Sequence, residues 1–229
     1  MASTYTDLGI ELMVTGENAG TWGDKTNTNL SLIEQLTGGV LSISIAGGAG
    51  NQDLTIANGA STGTAQQRVL EFTGTISGAR VIRFPLLTEN FYIIKNGTTG
   101  AHTVQLKAVS GSGATVTFAA GDKGYKIVYL DGVATNTGVF DVFSNTNFGA
   151  ITATGNILPG ANDTYDLGAT GSVWRNIYTG DLHLNNEHKK EGNIVDGSKG
   201  SWTLQEGAED IYLINNKSNE KFRLKLEKI

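Results

Sequence analysis

Residues 163–184 read Asp-Thr-Tyr-Asp-Leu-Gly-Ala-Thr-Gly-Ser-Val-Trp-Arg-Asn-Ile-Tyr-Thr-Gly-Asp-Leu-His-Leu, a turn-rich stretch with widely spaced large apolar side chains. Trp174, Ile177, Tyr178 and Leu182 stand among small and polar residues. A single chain with this pattern has little to bury those side chains against, although apolar burial is the main force that orders a chain. The stretch therefore predicts parallel association of identical chains.

The preceding residues have the same character. Residues 144–159 place isolated apolar side chains in a matrix of Gly, Thr and Asn, which cannot form a core alone. They are either a linker or a strand that intertwines with its copies, and the Asp-Leu-Gly stretch that follows favours the second. We therefore predict that identical chains intertwine along 144–184. The side chains predicted to form the interface between these chains are Phe148, Ile151, Trp174, Ile177, Tyr178 and Leu182.

Downstream, 185–229 predicts a small C-terminal β domain at the tip. It begins with a polar, charged loop, and exposed loops are where binding residues concentrate. Three strand candidates follow at 202–205, 210–215 and 221–226, the last two as a hairpin with alternating apolar residues. Such a thin sheet needs a cover, which again suggests partner chains. The loop extends from Glu187 to Lys199, and its candidate binding residues are Glu187, His188, Lys189 and Lys190.

Residues 40–143 alternate apolar and polar side chains with period two, and Gly-rich turns separate the runs. About nine short strands at this spacing predict a β-sandwich domain of jelly-roll-like type. Within it, Tyr125–Leu130 is almost continuously apolar, as a strand covered on both faces would be. The predicted fold class is thus mainly β.

Residues 1–39 form a leader with one short helix, predicted from about Asp24 to Leu36 and ended by the glycines at 38 and 39. Asp24, Thr26 or Thr28 are the candidate caps, and Leu30, Ile33 and Leu36 the predicted apolar stripe. Two interpretations stay open for this helix. It packs on the following domain, or it attaches the protein to a larger assembly.

Composition excludes several classes of protein. The chain of 229 residues has 31 Gly, 2 Pro and no Cys, so disulfides, thiolate metal sites and cysteine nucleophiles are excluded. A net charge of −5, spread over both halves, argues against a nucleic-acid partner, which would need a basic face. No apolar run has the length of a membrane span, so we expect no membrane insertion.

Three stretches resemble structural proteins of tailed bacteriophages. The leader at 12–30, with Trp22 inside it, is similar to the N-terminal start of virion and tail-fibre proteins of marine tailed phages. The Asp-Leu-Gly turn followed by Trp-Arg-Asn-Ile-Tyr resembles segments of phage fibres, and 184–207 resembles the terminal domain of fibre-like proteins. Together they cover about a quarter of the chain.

The resemblance implies a non-enzymatic homotrimeric tail fibre, assembled in the host cytoplasm and located in the virion. Its N-terminal part would attach to tail or head proteins, and its C-terminal part would reach a host-surface glycan or protein. The residues expected to anchor it are Trp22, Leu30, Ile33 and Leu36. The alternative is a collar, adaptor or capsid-decorating protein without receptor binding.

A glycan-degrading fibre enzyme is the less favoured alternative. Such chemistry needs two carboxylates across a sugar, whereas Glu206, Glu209 and Asp210 are expected to solvate a turn. We expect no catalytic residue, no cofactor and no metal site. The histidines at 102, 183 and 188 lack an axial His-x-His pair, and Asp163, Asp166 and Asp181 lack calcium-loop spacing and are expected to stabilise turns. Trp22, Trp174 and Trp202 are expected at interfaces rather than on sugars.

Overall fold

The computed structural model describes residues 2–144, 146–225 and 227. Strands dominate this part of the chain, and its one α-helix lies near the N-terminus, so the prediction of a mainly β protein is confirmed. The chain divides into two units, Met1–Gly149 and Ala150–Ile229. The domain boundaries predicted at 39/40, 143/144 and 184/185 remain predictions.

The elements of the first unit are β1 (Thr4–Tyr5), β2 (Glu11–Leu12), α1 (Trp22–Gly38), β3 (Val40–Ser44), β4 (Gly50–Asp53), β5 (Val69–Thr73), β6 (Arg80–Phe84), β7 (Glu89–Asn96), β8 (Val104–Ala108), β9 (Val116–Phe118), β10 (Gly124–Asp131) and β11 (Val139–Asp141). Those of the second unit are β12 (Leu182–Asn185), β13 (Ser201–Glu206), β14 (Ile211–Asn215) and β15 (Lys221–Arg223).

Two sheets contribute to the core of the first unit. One has five strands in the order β11-β10-β7-β5-β3, and the other has four in the order β4-β6-β8-β9. Strands β3, β5 and β7 run parallel, as do β4, β6 and β8. The chain thus forms three successive coils, and each coil contributes one strand to each sheet. The coils are β3 with β4, β5 with β6, and β7 with β8. Antiparallel strands β9, β10 and β11 complete the far end.

This strand order differs from the jelly-roll-like expectation, in which neighbouring strands are antiparallel. The difference arises at the Gly-rich turns, which carry the chain from one sheet to the other instead of joining neighbouring strands of one sheet as hairpins do. Parallel bridges Gly47↔Ile76 and Thr75↔Thr99 continue the coil-to-coil pairing through the turns. The alternating pattern alone does not distinguish the two connections, because both put every second side chain in the core.

The core of the first unit lies between the two sheets. Phe72, Phe84 and Tyr92 are fully buried in it, and the rings of Phe84 and Tyr92 are 5.1 Å apart. The Tyr92 hydroxyl donates a hydrogen bond of 2.8 Å to the carbonyl oxygen of Ala65. Burial raises the pKa of Tyr92 to about 12, because the charged phenolate is poorly solvated there.

The leader packs on its own unit. Asn29 of α1 holds β2 in place, since its side-chain amide accepts from the backbone N–H of Glu11 and donates to the Glu11 carbonyl, both at 2.9 Å. The buried Glu11 carboxylate lies 3.1 Å from the Lys25 ammonium group. Hydrogen bonds from Ser3 and Lys25 lower the pKa of Glu11. At Gly9, with φ of +82°, an added Cβ would lie 2.6 Å from the Gln66 amide nitrogen, so only glycine allows this close approach.

The helix differs from its prediction in its start and in its packed face. It begins at Trp22, and Thr21 before it makes no side-chain cap, so capping by Asp24, Thr26 or Thr28 was wrong. Its end at Gly38 is confirmed. The buried helix residues are Leu32 and Leu36 rather than the whole predicted stripe. The spacing alone could not identify the buried face, because the leucines and the isoleucine of α1 lie on two overlapping faces of the helix and either could be the packed one.

The second unit contains one antiparallel meander in the order β12-β13-β14-β15. The predicted C-terminal hairpin is confirmed as β14 and β15, and the strand predicted at 202–205 is confirmed as β13. The predicted hairpin extended to Leu226, which lies outside the described residues. The fourth strand, β12, crosses the predicted boundary at 184/185 and belongs to the C-terminal sheet.

Candidate chain-association site

The segment that opens the second unit exposes its apolar side chains. Every residue from 150 to 185 is exposed to solvent, and Tyr178 is exposed to 93%. Among the described residues of this unit, only Thr203 is buried. The large apolar residues exposed between 148 and 195 are Phe148, Ile151, Ile157, Leu158, Tyr165, Leu167, Val173, Trp174, Ile177, Tyr178, Leu182, Leu184, Ile194 and Val195. All six residues predicted for the trimer interface are therefore accessible.

The Asp-Leu-Gly stretch forms a defined turn. Ala169 and Ser172 exchange backbone hydrogen bonds of 3.1 and 2.9 Å, which closes a short antiparallel bridge. Gly168 enters it with φ of +92°, where a Cβ would lie 3.0 Å from the Ser172 carbonyl oxygen and 3.4 Å from the Trp174 ring. The turn fixes the backbone beside Trp174 while leaving that side chain 61% exposed. Its apolar side chains are thus held in place without being buried.

The C-terminal sheet has one apolar face. Register places Leu182, Leu204, Leu213 and Phe222 directly opposite one another across all four strands. Trp202 lies on the same face with its ring centroid 5.8 Å from that of Phe222. Leu182 and Phe222 remain more than two-fifths exposed, so the described residues of this unit do not cover the face. The sheet resembles one half of a two-layer structure.

The opposite face of this sheet carries a polar network. The Thr203 hydroxyl donates to the Asn216 side-chain oxygen at 3.1 Å and lies 3.0 Å from Nδ1 of His183. Because the hydroxyl has a single proton, Nδ1 of His183 must donate to it. Thr203, His183 and Asn216 are therefore paired with one another on this face, whereas the described residues of the unit leave the apolar face uncovered.

The predicted receptor loop is exposed and tied down at two points. Glu187 lies 3.3 Å from the ammonium group of Lys217, and Lys189 lies 3.6 Å from Asp163. His188 and Lys190 are exposed and have no hydrogen bond or ion pair among the described residues.

The sequence pointed to this loop as a whole but not to its most hydrogen-bonded turn, which follows the four predicted residues. The side-chain oxygen of Asn193 accepts from the backbone N–H groups of Val195 and Asp196 at 2.8 and 3.1 Å. Hydrogen bonds from Ser198 and Asn193 lower the pKa of Asp196. The turn presents Ile194 and Val195 almost fully exposed. The Asn-Ile-Val-Asp-Gly sequence, with turn formers around two aliphatic residues, was the available signal.

The predicted anchoring residues fall on two faces of α1. Trp22, Leu30 and Ile33 are exposed to 64, 58 and 45%, whereas Leu36 is buried. Leu36 is therefore unavailable to an anchoring partner in this structure. The other three remain available, so packing of the helix on its own unit leaves an exposed apolar stripe.

Three of the carboxylates considered for other chemistry have a side-chain partner among the described residues. Asp210 pairs with Arg223 at 3.3 Å, and Glu206 ends β13 opposite Ile211. Asp181 accepts a hydrogen bond from the Gln205 side-chain amide at 3.0 Å, and Asp163 contacts Lys189. These two aspartates were expected to stabilise their own turns, but their side chains contact residues distant in sequence instead. Asp166 has no side-chain hydrogen bond among the described residues.

Within residues 2–144, 146–225 and 227, no group of three or more His, Asp or Glu side chains is arranged to hold a metal ion. The one described helix is neither long nor apolar enough to cross a membrane. No protein-family model, curated protein or solved structure matches the chain.

Proposed function

We propose that this protein is a homotrimeric tail fibre of a tailed bacteriophage, attached through its N-terminal part and presenting its C-terminal part to the host surface. The observation that carries the self-association is the exposure of large apolar side chains along 148–195 on a backbone with defined turns. Soluble proteins rarely leave contiguous apolar surface uncovered unless it binds something. Copies of the same chain are present wherever the chain is made, so they can cover it during assembly.

Two further features support the assignment to a phage fibre. The resemblance of the leader, the Asp-Leu-Gly stretch and the C-terminal part to phage virion proteins supplies the class. The exposed stripe of Trp22, Leu30 and Ile33 supplies a surface through which the leader would bind a tail or head protein. The loop from Glu187 to Lys190 lies in the unit that would face the host.

Sedimentation velocity of the purified full chain tests the proposal. We expect a species of three chains that dissociates into single chains only on strong dilution. Double substitution Trp174→Ala and Ile177→Ala should weaken it, because the few large side chains at the centre of an interface can contribute about 2 kcal/mol or more each. The matched control is Thr117→Ala, an exposed position on β9 in the other unit. An unmodified chain that stays monomeric at high concentration would overturn the proposal.

The location of the protein in the virion tests whether it is a tail fibre. Gold-labelled antibody against the protein should mark the tail of purified virions by electron microscopy. Labelling confined to the capsid or collar would replace the tail fibre by the decorating or adaptor protein. Release of reducing ends from host polysaccharide by the purified protein would instead favour the glycan-degrading enzyme.

A further inference from the structure

The outer face of the five-stranded sheet, opposite the core, carries an aliphatic row that crosses every strand. Register aligns Val40 with Val69, Val69 with Ile93, and Ile93 with Ile127. Val142 continues the alignment, since its backbone N–H donates to the carbonyl of Ile127 at 2.9 Å. We call these five residues the outer row. Val40 is 67% and Val142 39% exposed, and the other three are partly exposed.

An aromatic row lies beside the outer row on the same face. Tyr129 is opposite Phe91 on one side and Phe140 on the other. The rings of Tyr129 and Phe140 stack 4.9 Å apart at 15°, and the Arg68 guanidinium lies 5.3 Å from the centre of the Phe91 ring. Phe91 and Tyr129 are still about two-fifths exposed, so their own unit leaves them accessible.

The sequence pattern had predicted a cover for this face. Tyr125–Leu130 reads as a strand covered on both faces, yet only Val128 and Leu130 of this stretch face the core and are buried. Tyr125 is 66% exposed on the outer side. A strand that is apolar on both faces, with one face uncovered in its own unit, indicates a second packing partner.

The other sheet of the same unit provides an internal comparison. Its outer face aligns Asp53, Arg83 and Lys107 across three strands. Arg83 binds Asp53 through two hydrogen bonds of 2.5 and 2.7 Å. This face is suited to water, whereas the outer row is not. The contrast within one domain shows that the apolar face is specific to the five-stranded sheet.

We propose that the outer row is the surface on which the first unit packs against a second copy of the same chain in the trimer. This inference rests on the homotrimer proposed above and adds an interface in the other unit. Side chains near a symmetry axis meet their own copies, so a charge there would face the same charge and be repelled. The outer row contains no charged residue.

A third row, on the same face of the sheet, also favours a second copy of the chain as the partner, because its charges are complementary to those of its own copy. It aligns Ser42, Glu71, Lys95 and Tyr125, and the Lys95 ammonium lies 2.6 Å from the Glu71 carboxylate. A copy that approaches across this row brings the same two opposite charges, which can pair between chains as well as within one. An unrelated acidic or basic partner would leave one of them unmatched.

The size of the patch explains why both units would be needed. The outer row has five positions and the aromatic row has three, and at about 4.8 by 7 Å for each position they form a patch of roughly 270 Å². A stable interface buries about 800 Å² on each partner, so this patch supplies roughly a third. The exposed segment of the second unit would supply the remainder, and the two surfaces would act together in one assembly.

Single-cysteine variants of the full chain test the inference, because the native chain has no Cys to interfere. Ile127→Cys is placed in the outer row, and Thr117→Cys, on the polar outer face of the other sheet, is its matched control. In the assembled protein, a short bifunctional thiol reagent should link copies of Ile127→Cys but not of Thr117→Cys. A monofunctional thiol reagent should label Ile127→Cys about tenfold more slowly than the control, since a covered thiol reacts only through opening.

The outcomes separate the two proposals. If the unmodified chain is a trimer but Ile127→Cys is labelled as fast as Thr117→Cys and does not cross-link, the inference is overturned and the trimer stands. Slow labelling that persists in dilute monomer would show that the same chain covers the row, which also overturns the inference. A monomeric unmodified chain overturns both proposals. Val69→Cys, also in the outer row, repeats the test if Ile127→Cys does not fold.

Discussion

The two units of this chain bury their apolar side chains to very different extents. The first unit encloses a core with Phe72, Phe84 and Tyr92 fully buried, whereas only Thr203 is buried among the described residues of the second. Both units nevertheless have defined turns and sheets. The comparison indicates that the first unit is stabilised by its own core, whereas the described residues of the second unit enclose no comparable core.

Removal of one large side chain from each unit should show the largest difference. Phe72→Ala empties a fully buried site and should lower the free energy of unfolding by about 3–5 kcal/mol. Tyr178→Ala removes a side chain that is 93% exposed and should change it by less than about 0.5 kcal/mol in dilute monomer. Urea titration measures both. Equal effects at low concentration would contradict the comparison.

High pH should destabilise the first unit through its core. The pKa of Tyr92 is raised to about 12 from an ordinary value of 10.0, so its contribution to stability is complete below pH 10 and is lost as pH rises toward 12. At about 1.4 kcal/mol for each pKa unit, the loss approaches 3 kcal/mol. Urea midpoints measured across this range should fall.

Tyr92→Phe is the control for this pH effect. It removes the titrating group and should flatten the decline, while the lost hydrogen bond to Ala65 costs about 1 kcal/mol at neutral pH. The raised pKa values of Lys25 and Lys95 contribute a decline in the same direction to both proteins. If the urea midpoint of Tyr92→Phe falls with pH as steeply as that of the unmodified chain, burial of the Tyr92 phenol is not the cause of the decline.

The leader should open before the core does. Asn29→Ala removes both side-chain hydrogen bonds to the Glu11 backbone and should destabilise docking of the leader by about 1–2 kcal/mol. Faster amide exchange in 4–12, with strands β3 to β11 unchanged, is the expected result. Asn27→Ala, an exposed asparagine in the same helix, should have no effect. Equal exchange in both variants would show that the leader is held by other contacts.

The smallest effect is expected in the loop of the second unit. Asn193→Ala removes the acceptor for two backbone N–H groups and should loosen 193–198 by about 1 kcal/mol. Since the pKa of Asp196 is lowered from 3.8, its contribution is present above that pH and is lost on acidification below it. Amide exchange at neutral and acidic pH measures both effects. If amide protection in 193–198 is unaltered in Asn193→Ala, the loop is ordered by contacts other than those of the Asn193 side chain.

Local patterns in the sequence predicted the elements better than their arrangement. The hairpin of β14 and β15 followed from alternation around an Asn-rich turn, and the helix end followed from Gly38 and Gly39. The parallel coils did not follow, because a Gly-rich turn between two strands is compatible with a hairpin and with passage to another sheet. That choice depends on pairing between strands distant in sequence.

For the candidate site, local sequence patterns predicted the exposure of some residues but not which of two apolar strand faces is internal. Exposure of Trp174, Ile177 and Tyr178 followed from their sparse spacing. The outer row was missed because β7 is apolar in both registers, with Tyr92 and Ile94 facing the core and Phe91 and Ile93 facing out. A run that is apolar on both sides indicates two packing surfaces, but it does not identify which is internal.

The coils of the first unit bear on how such a domain changes in evolution. Each coil adds one strand to each sheet, while the antiparallel strands β9, β10 and β11 close the far end independently of the coil number. Duplication of one coil would lengthen both sheets by about 4.8 Å and leave both ends intact. Related proteins could therefore differ in length by whole coils, with the outer row extended by one residue at each step.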